Sequence, residues 1–247
     1  MKRNELQPIH HESALLLREK HLLVIADLHI GIETELRDSG LHIPSQTPSM
    51  EKRLLGLMKK YAIQEIILLG DIKHNIPTSP VVERKDVDRF FSLLQSVQTI
   101  HVVPGNHDGT IYRFLPSNAM LHPSDGFIYK NIGFVHGHRW PREDLMQCHQ
   151  LVIGHTHPTI MLTDRLGHKT FEPCWVRAQC LEDVLEKRYP SSSNPDIVIL
   201  PAFNPLCGGN PVNQGSLLGP FKTLLDLPNA EAYLLDGTLL GKIKDIR

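Results

Sequence analysis

The chain has 247 residues, of which 41% are hydrophobic and 21% charged, as is ordinary for a globular protein with a substantial core. Its formal net charge of −1 argues against a strongly basic nucleic-acid binder, although a local basic patch remains compatible with it. The 15 histidines are the compositional anomaly, and many of them follow predicted strands.

Apolar runs at 15–17 and 22–26 flank a charged turn and predict a hairpin. The second run is apolar throughout, as expected of a strand that is covered on both faces. It ends at Asp27-Leu28-His29. Because residues two apart on an extended segment point the same way, Asp27 and His29 can bind one ion together.

Helical spacing predicts short helices at 33–39, 50–61 and 86–96. Buried strands at 66–69 and 100–103 follow the second and third of these helices and end in Gly70-Asp71 and in Gly105-Asn106-His107-Asp108. The order β-β-α-β-α-β predicts parallel strands joined by crossover helices, with polar residues collected at the carboxyl ends of the strands.

The second half changes to antiparallel patterns. A hairpin at 127–129 and 132–135 leads into His136-Gly137-His138, and a strand at 151–153 leads into Gly154-His155-Thr156-His157. We predict further strands at 159–162, 169–177 and 197–200, a helix at 181–188, and a closing hairpin at 232–235 and 239–243 around Asp236-Gly237.

The four cysteines show no Cys-x-x-Cys spacing, so neither a zinc finger nor a thioredoxin-type motif is indicated. We interpret the thiols as buried or incidental in a reducing cytosol. Residues 1–8 are polar and lack the apolar core of a signal peptide, and no apolar run approaches the ~20 residues that span a bilayer. We therefore expect a soluble, cytoplasmic protein.

Seven polar side chains stand at predicted strand ends and could bind metal: Asp27, His29, Asp71, Asn106, His136, His155 and His157. This mixed set of nitrogen and oxygen ligands suits Mn²⁺, Fe or Zn²⁺ better than Ca²⁺. Seven ligands are too many for one ion and fit two, with Asp71 shared. Two cations ~3.5–4 Å apart can clamp a phosphoryl group and lower the pKa of a bridging water.

Other polar residues near these motifs have possible roles in catalysis or substrate binding. His107 is the candidate to protonate the leaving oxygen, and Asp108 could orient it. His74 and His138 could contact phosphate, with a role behind the ligands as the alternative. Arg113 and Arg139 could hold a phosphodiester and Trp140 could stack a base, or they could be ordinary surface and packing residues.

From Asp27 to His157, the motifs Asp-x-His, Gly-Asp, Gly-Asn-His-Asp, His-Gly-His and Gly-His-Thr-His resemble, in order, those of the calcineurin-like metallophosphoesterase superfamily. The resemblance implies that His107 is the catalytic acid and that the ligands divide between two metals. One metal would take Asp27, His29, Asp71 and His157. The other would take Asp71, Asn106, His136 and His155.

The resemblance also implies the fold. It predicts one domain over 1–247, a four-layer α/β/β/α sandwich of two mixed sheets flanked by helices, with the dinuclear site at the strand carboxyl ends. The metal motifs lie within 27–157, and residues 159–247 would complete the second sheet. Two divalent ions are expected there, with Mn²⁺ as the preferred metal and Fe, Zn or Ni as alternatives.

Three stretches, at 70–74, 154–158 and 201–206, resemble the ICC-like phosphoesterases, a group similar to the ligase-associated metallophosphoesterases linked to bacterial DNA repair. One departure stands out, because many superfamily members carry Asp or Asn where this chain has His74. That difference concerns the surroundings of the ligands, since Asp71 itself is present.

Three functions follow as hypotheses. The first is a metal-dependent phosphodiesterase that cleaves single-stranded DNA, another nucleic acid or a nucleotide through hydroxide activated by two metals. The second is a small-molecule phosphodiesterase, pyrophosphatase or phosphomonoesterase. The third is a non-catalytic scaffold on the same fold, which the intact His107 and the full ligand set disfavour.

Overall fold

In the computed structural model, two β-sheets form the centre of the fold, and helices pack on both. The structure describes residues 6–77 and 80–246, so the first five residues of the polar amino-terminal segment lie outside it. Within the described ranges, no helix combines the length and the apolar character needed to cross a membrane.

The first sheet has six strands in the order β1-β2-β3-β4-β5-β6. Strands β3 to β6 are parallel, and the predicted hairpin of β2 and β3 is confirmed. The bounds are β1 Gln7–Pro8, β2 Leu15–Leu17, β3 Leu22–Ile25, β4 Glu65–Leu69, β5 Thr99–Val103 and β6 Ala119–Leu121. Strand β6 was not predicted, because three residues are too short a run to indicate a strand from the sequence.

Three helices accompany this sheet: α1 Ile32–Asp38, α2 Thr47–Tyr61 and α3 Val81–Leu93. Helix α2 begins before the predicted residue 50, since Pro48 is tolerated in a first turn that needs no internal N–H donor. Helix α3 begins at Val81, before the predicted residue 86. Its first turn exposes Val81 and Val82, so the buried apolar pattern on which the prediction rested starts only at Val87. Residues 94–96, predicted as helix, form a separate 3-10 turn.

The second sheet has nine strands, in the order β13-β10-β11-β12-β9-β8-β7, with β14 and then β15 added beside β11. The bounds are β7 Phe127–Tyr129, β8 Ile132–Val135, β9 Gln150–Ile153, β10 Pro158–Thr163, β11 Lys169–Ala178, β12 Asp196–Ile199, β13 Asn210–Pro211, β14 Glu231–Leu234 and β15 Leu239–Lys242. Helices α4 Glu182–Arg188 and α5 Phe221–Leu224 accompany it. Parallel and antiparallel pairs occur together, so this sheet is mixed as predicted.

Alternation along the strands divides the apolar residues among three cores. In β4, Ile66 and Leu68 face α2 and α3, whereas Ile67 and Leu69 face the second sheet. In β12, Val198 faces the first sheet, whereas Ile197 and Ile199 face α4 and α5. Three cores separate four layers, so the α/β/β/α sandwich is confirmed.

Candidate metal centre and catalytic histidine

The polar motifs lie just beyond the carboxyl ends of β3, β4, β5, β8 and β9, where the two sheets face each other. At these ends the chain turns sharply, and five of the predicted ligands adopt a left-handed backbone conformation. Their φ angles are 57° at Asp27, 39° at His29, 50° at Asp71, 67° at His155 and 46° at His157. These turns direct side chains from both sheets into one cleft.

The first group of donor atoms comes from the loops after β3 and β4. Ligand atoms of Asp27, His29 and Asp71 all lie within 4.8 Å of one another, and all three residues are buried. Nε2 of His29 is 3.5 Å from Oδ2 of Asp71. From the second sheet, Nε2 of His157 approaches Oδ1 of Asp27 at 3.2 Å.

The second group combines Asp71 with His136 and His155, again within 4.8 Å of one another. Nε2 of His136 is 3.3 Å from Oδ2 of Asp71, while Nδ1 of His136 donates to the carbonyl oxygen of Leu69 at 2.9 Å. Asp71 therefore belongs to both groups. Asn106 is exposed beside His107, whose backbone N–H donates to Oδ1 of Asp71 at 3.0 Å.

The imidazole nitrogens of this cleft fit a metal site. Among the residues that the structure describes, Nε2 of His29, of His136 and of His157 are buried and make no well-aligned hydrogen bond, although carboxylate oxygens lie 3.2 to 3.5 Å away. A buried polar atom without a partner carries a desolvation penalty of about 1–3 kcal/mol. Imidazole nitrogens beside carboxylates suit Mn²⁺, Fe or Zn²⁺, so cations in this cleft would satisfy all three atoms.

The electrostatics of the cleft divide its imidazoles into two pairs. At His136 and His157 burial is outweighed by the facing carboxylates, so that Asp71 raises the pKa of His136 to about 9 and Asp27 raises the pKa of His157. Burial alone would raise the pKa of Asp27 and of Asp71, but the facing imidazoles lower both values. His157 has the largest lowering effect on the pKa of Asp27, and His136 has the largest on that of Asp71. Burial lowers the pKa of His29 to about 3 and that of His155 to about 4. These two imidazoles are therefore neutral at pH 7, as a metal ligand must be.

Gly70 permits the close contact between the loop after β4 and His136. Its φ of +82° disfavours any side chain, and a Cβ atom there would stand 2.2 Å from Nδ1 of His136. We expect Gly70→Ala to displace His136 and to weaken metal binding by at least about tenfold, as measured by calorimetric titration.

The matched control is Gly56→Ala in α2, where a Cβ atom meets nothing within 4 Å. We expect this variant to gain up to ~1 kcal/mol in unfolding free energy and to keep its metal affinity. Equal metal affinities for the two variants would contradict the role assigned to Gly70.

His107 is held from two sides. Its backbone donates to Asp71, and its Nδ1 atom contacts the carbonyl oxygen of His74.

The side chain of Asp108, predicted to orient His107, instead accepts backbone N–H bonds from Gly105, Ile72 and Lys73 at 2.9 to 3.3 Å. Burial raises the pKa of Asp108 to about 6. Asp108 therefore braces the two loops, and the His74 carbonyl takes the predicted contact with the imidazole.

A chain of hydrogen bonds runs behind His29. Nδ1 of His29 lies 3.1 Å from Nδ1 of His74, and Nε2 of His74 lies 2.5 Å from Oε2 of Glu35. If Nε2 of His29 binds metal, its Nδ1–H donates to His74, and His74 then donates through Nε2 to Glu35. Such partners fix the tautomer of a ligand and increase its basicity.

We expect His74→Ala to lower metal affinity about 10- to 100-fold, because His29 loses the group that orients it. His168→Ala, at an exposed turn between β10 and β11, is the control. Metal titration of the two proteins checks this expectation. If the His74 variant keeps its metal affinity, the supporting role of His74 behind His29 is contradicted, and the phosphate contact considered from the sequence is favoured.

Of the remaining predicted residues, His138 lies against the second donor group, and Arg113 and Arg139 follow the cleft motifs in sequence. Nδ1 of His138 is buried and has no hydrogen-bond partner in the described part of the chain, and the ring stands 5.3 Å from that of His136 and 6.1 Å from that of His155. Burial lowers the pKa of His138 to about 4. Arg113 is exposed, and its Nε donates to the hydroxyl of Tyr112 at 3.3 Å. Arg139 is exposed beside the half-buried Trp140.

Sequence reasoning missed two residues here. Glu35 lies on α1, and only its spacing of six residues from His29 hinted at proximity. Cys207, interpreted as an incidental thiol, is partly buried and has its sulfur within 4.8 Å of ligand atoms of His29 and His157. The sequence offered one signal, the loop after β12 that is rich in glycine, asparagine and proline, and the structure returns this loop to the cleft.

Residues 20–206 match the family model for calcineurin-like phosphoesterases. Among solved structures, Pseudomonas putida nuclease MPE aligns with a TM-score of 0.58 and 19% identity over 94% of this chain and 98% of that one. Yfce, a phosphoesterase from E. coli, aligns with a TM-score of 0.43 and 18% identity over 90% and 97%. No curated protein matches the chain. At this identity, the alignment with the P. putida structure shows a shared fold.

Proposed function

This chain belongs to the calcineurin-like phosphoesterase family and is a hydrolase of phosphoester bonds, and on that premise we propose that it is a metal-dependent phosphodiesterase acting on nucleic acid or nucleotides. We also propose that it acts in DNA repair, because the sequence resembles a group similar to the ligase-associated metallophosphoesterases, which are linked to DNA repair.

The observation that carries the proposal is the position of Asp71. Its carboxylate belongs to both donor groups and also accepts the backbone N–H of His107. A phosphate bound over Asp71 would therefore lie between the candidate metal positions and the candidate acid. The proposed ligands are those expected from the sequence: Asp27, His29, Asp71, Asn106, His136, His155 and His157.

Two divalent cations at these positions would hold the phosphate, lower the pKa of a water molecule and stabilise the charge that develops in the transition state. Mn²⁺ is the ion that we propose to test first, with Fe, Zn and Ni as alternatives. The residues of the chain fix the positions, and the neutral imidazoles of His29 and His155 have their lone pairs available.

His107 is the proposed general acid. Because its Nδ1 atom contacts the His74 carbonyl, that nitrogen carries a proton, and Nε2 is the atom left to protonate the leaving oxygen. The ring is partly exposed, as an acid that meets a substrate has to be.

Exposed groups that closely follow the cleft motifs in sequence support a polymeric or nucleotide substrate. Tyr112 is 56% exposed next to Arg113, and together they offer a stacking surface and a cation for a base and its phosphate. Arg139, just beyond His138, offers a second exposed cation. The fold is also that of the P. putida protein named a nuclease.

The test compares bis-p-nitrophenyl phosphate, p-nitrophenyl phosphate and end-labelled single-stranded DNA, with Mn²⁺ present or chelated. We expect metal-dependent cleavage of the diester and of the DNA, with the monoester poorer. Diester cleavage without DNA cleavage would overturn the nucleic-acid substrate and favour a small nucleotide. Absence of turnover with every divalent ion, despite metal binding, would overturn the enzymatic proposal in favour of a scaffold.

A further inference from the structure

The loop after β12 returns to the cleft and is fixed there at both ends. At its start, the side-chain amide of Asn204 donates to the carbonyl oxygen of Leu28 at 2.8 Å. At its end, the side-chain amide of Asn210 donates to the carbonyl oxygen of Thr156 at 2.7 Å. Both anchors lie next to candidate ligands in sequence, so the loop has a defined position over the first donor group.

This loop places the thiol of Cys207 beside two imidazoles. Its sulfur lies 3.7 Å from the backbone carbonyl oxygen of Asp27, and within 4.8 Å of ligand atoms of His29 and His157. Cys174 and Cys180 instead lie in the core on the outer side of the second sheet.

The two imidazoles are oriented for a ligand by bonds on their other nitrogens. Nδ1 of His157 faces the carbonyl oxygen of Gly208 at 3.3 Å, and Nδ1 of His29 faces His74. Their Nε2 atoms are buried and lack a hydrogen-bond partner within 6–77 and 80–246. His29 itself is only 4% exposed. A nitrogen of His29, a nitrogen of His157 and the thiol of Cys207 thus lie within 4.8 Å of one another, and Oδ1 of Asp27 lies 3.2 Å from Nε2 of His157.

We propose that Cys207 is a ligand of the metal held by Asp27, His29, Asp71 and His157, so that this position prefers a softer ion than its neighbour. The inference rests on the two-metal site proposed above. Thiolate and imidazole together favour Zn²⁺ or Fe²⁺, whereas the other position offers only oxygen and imidazole donors and suits Mn²⁺. The centre would then hold two different metals.

Coordination requires the thiol to release its proton to solvent as the cation binds. Burial and the charges of Asp27 and Asp71 raise the pKa of the Cys207 thiol well above its ordinary value.

Zinc K-edge X-ray absorption on the wild-type chain tests the ligand directly. With one equivalent of Zn²⁺, we expect one sulfur neighbour at ~2.3 Å beside nitrogen and oxygen neighbours at ~2.0–2.2 Å. A spectrum that contains nitrogen and oxygen neighbours alone would overturn the proposal, and this measurement needs no variant.

Cobalt titration of the full chain gives a second readout. We expect the first equivalent of Co²⁺ to produce a thiolate-to-cobalt charge-transfer band in the near ultraviolet, which Cys207→Ser removes and Cys148→Ser retains. Cys148 is the matched control, because its thiol is buried against the backbone of Asp144. A band that survives in Cys207→Ser would contradict the proposal.

Competition titrations should show that Cys207→Ser lowers Zn²⁺ affinity by more than about tenfold and Mn²⁺ affinity by less. An equal loss for both ions would remove the softer-metal preference. These outcomes are separate from the proposed function: a sulfur ligand without phosphodiester hydrolysis would refute the function alone, and hydrolysis without a sulfur ligand would refute this inference alone.

Discussion

Replacement of Asp71 by asparagine is expected to abolish hydrolysis, with a loss of at least about 10³-fold in kcat for bis-p-nitrophenyl phosphate. Asp71 is shared by both donor groups, and a neutral amide has one oxygen where the carboxylate has two. Metal-ion stabilisation of the transition state contributes several kcal/mol, and each 1.36 kcal/mol corresponds to a factor of ten in rate.

Metal content measured by mass spectrometry should fall together with activity in Asp71→Asn. The amide oxygen can still accept the backbone N–H of His107, so the loop that carries this residue should keep its position. Asp88→Asn, on the exposed face of α3, is the control and should retain both metal and activity. A variant at Asp71 that holds two metals and turns over at the wild-type rate would refute the shared-ligand assignment.

Replacement of His107 by alanine is expected to lower kcat on single-stranded DNA about 10²- to 10⁴-fold, the range typical of a lost general acid. The loss on bis-p-nitrophenyl phosphate should be much smaller, because p-nitrophenolate leaves without needing a proton, whereas a sugar alkoxide does not. Metal affinity should be unchanged, since His107 lies outside the two groups that share Asp71.

The comparison of leaving groups is what identifies proton donation by His107. His42→Ala, at an exposed loop position, controls for the loss of a histidine. Equal losses on both substrates would show that His107 acts by holding its loop or by binding phosphate rather than by donating a proton.

The positions of the strand ends could be predicted, because the apolar runs and their order along the chain determine where each strand ends. Asp27, Asp71 and Asn106 each follow an apolar run in a series of parallel strands, and such strands end at one edge of a sheet. The departure at His74 was also visible in the sequence. Its contact with Glu35 was not, because that contact depends on how α1 packs after the sharp turn at His29.

The partners of His107 and the position of Cys207 required the structure for a similar reason. Asp108 is adjacent to His107 in sequence, which suggested contact, but its side chain turns inward to three backbone N–H groups. Cys207 follows the last metal motif by fifty residues. The side-chain hydrogen bonds of Asn204 and Asn210, together with backbone bonds to Ala26, Asp27 and His157, bring its loop back to the cleft.

The left-handed backbone at Asp27, His29, Asp71, His155 and His157 sets conformational stability against activity. Such conformations cost about 1–3 kcal/mol each in residues with a side chain, and glycine largely avoids this cost. Selection for thermal stability alone, in metal-free medium, should therefore enrich glycine at these five positions. Selection for hydrolysis should eliminate the same substitutions. Laboratory evolution should therefore favour glycine at these positions under the first pressure and the ligand residues under the second.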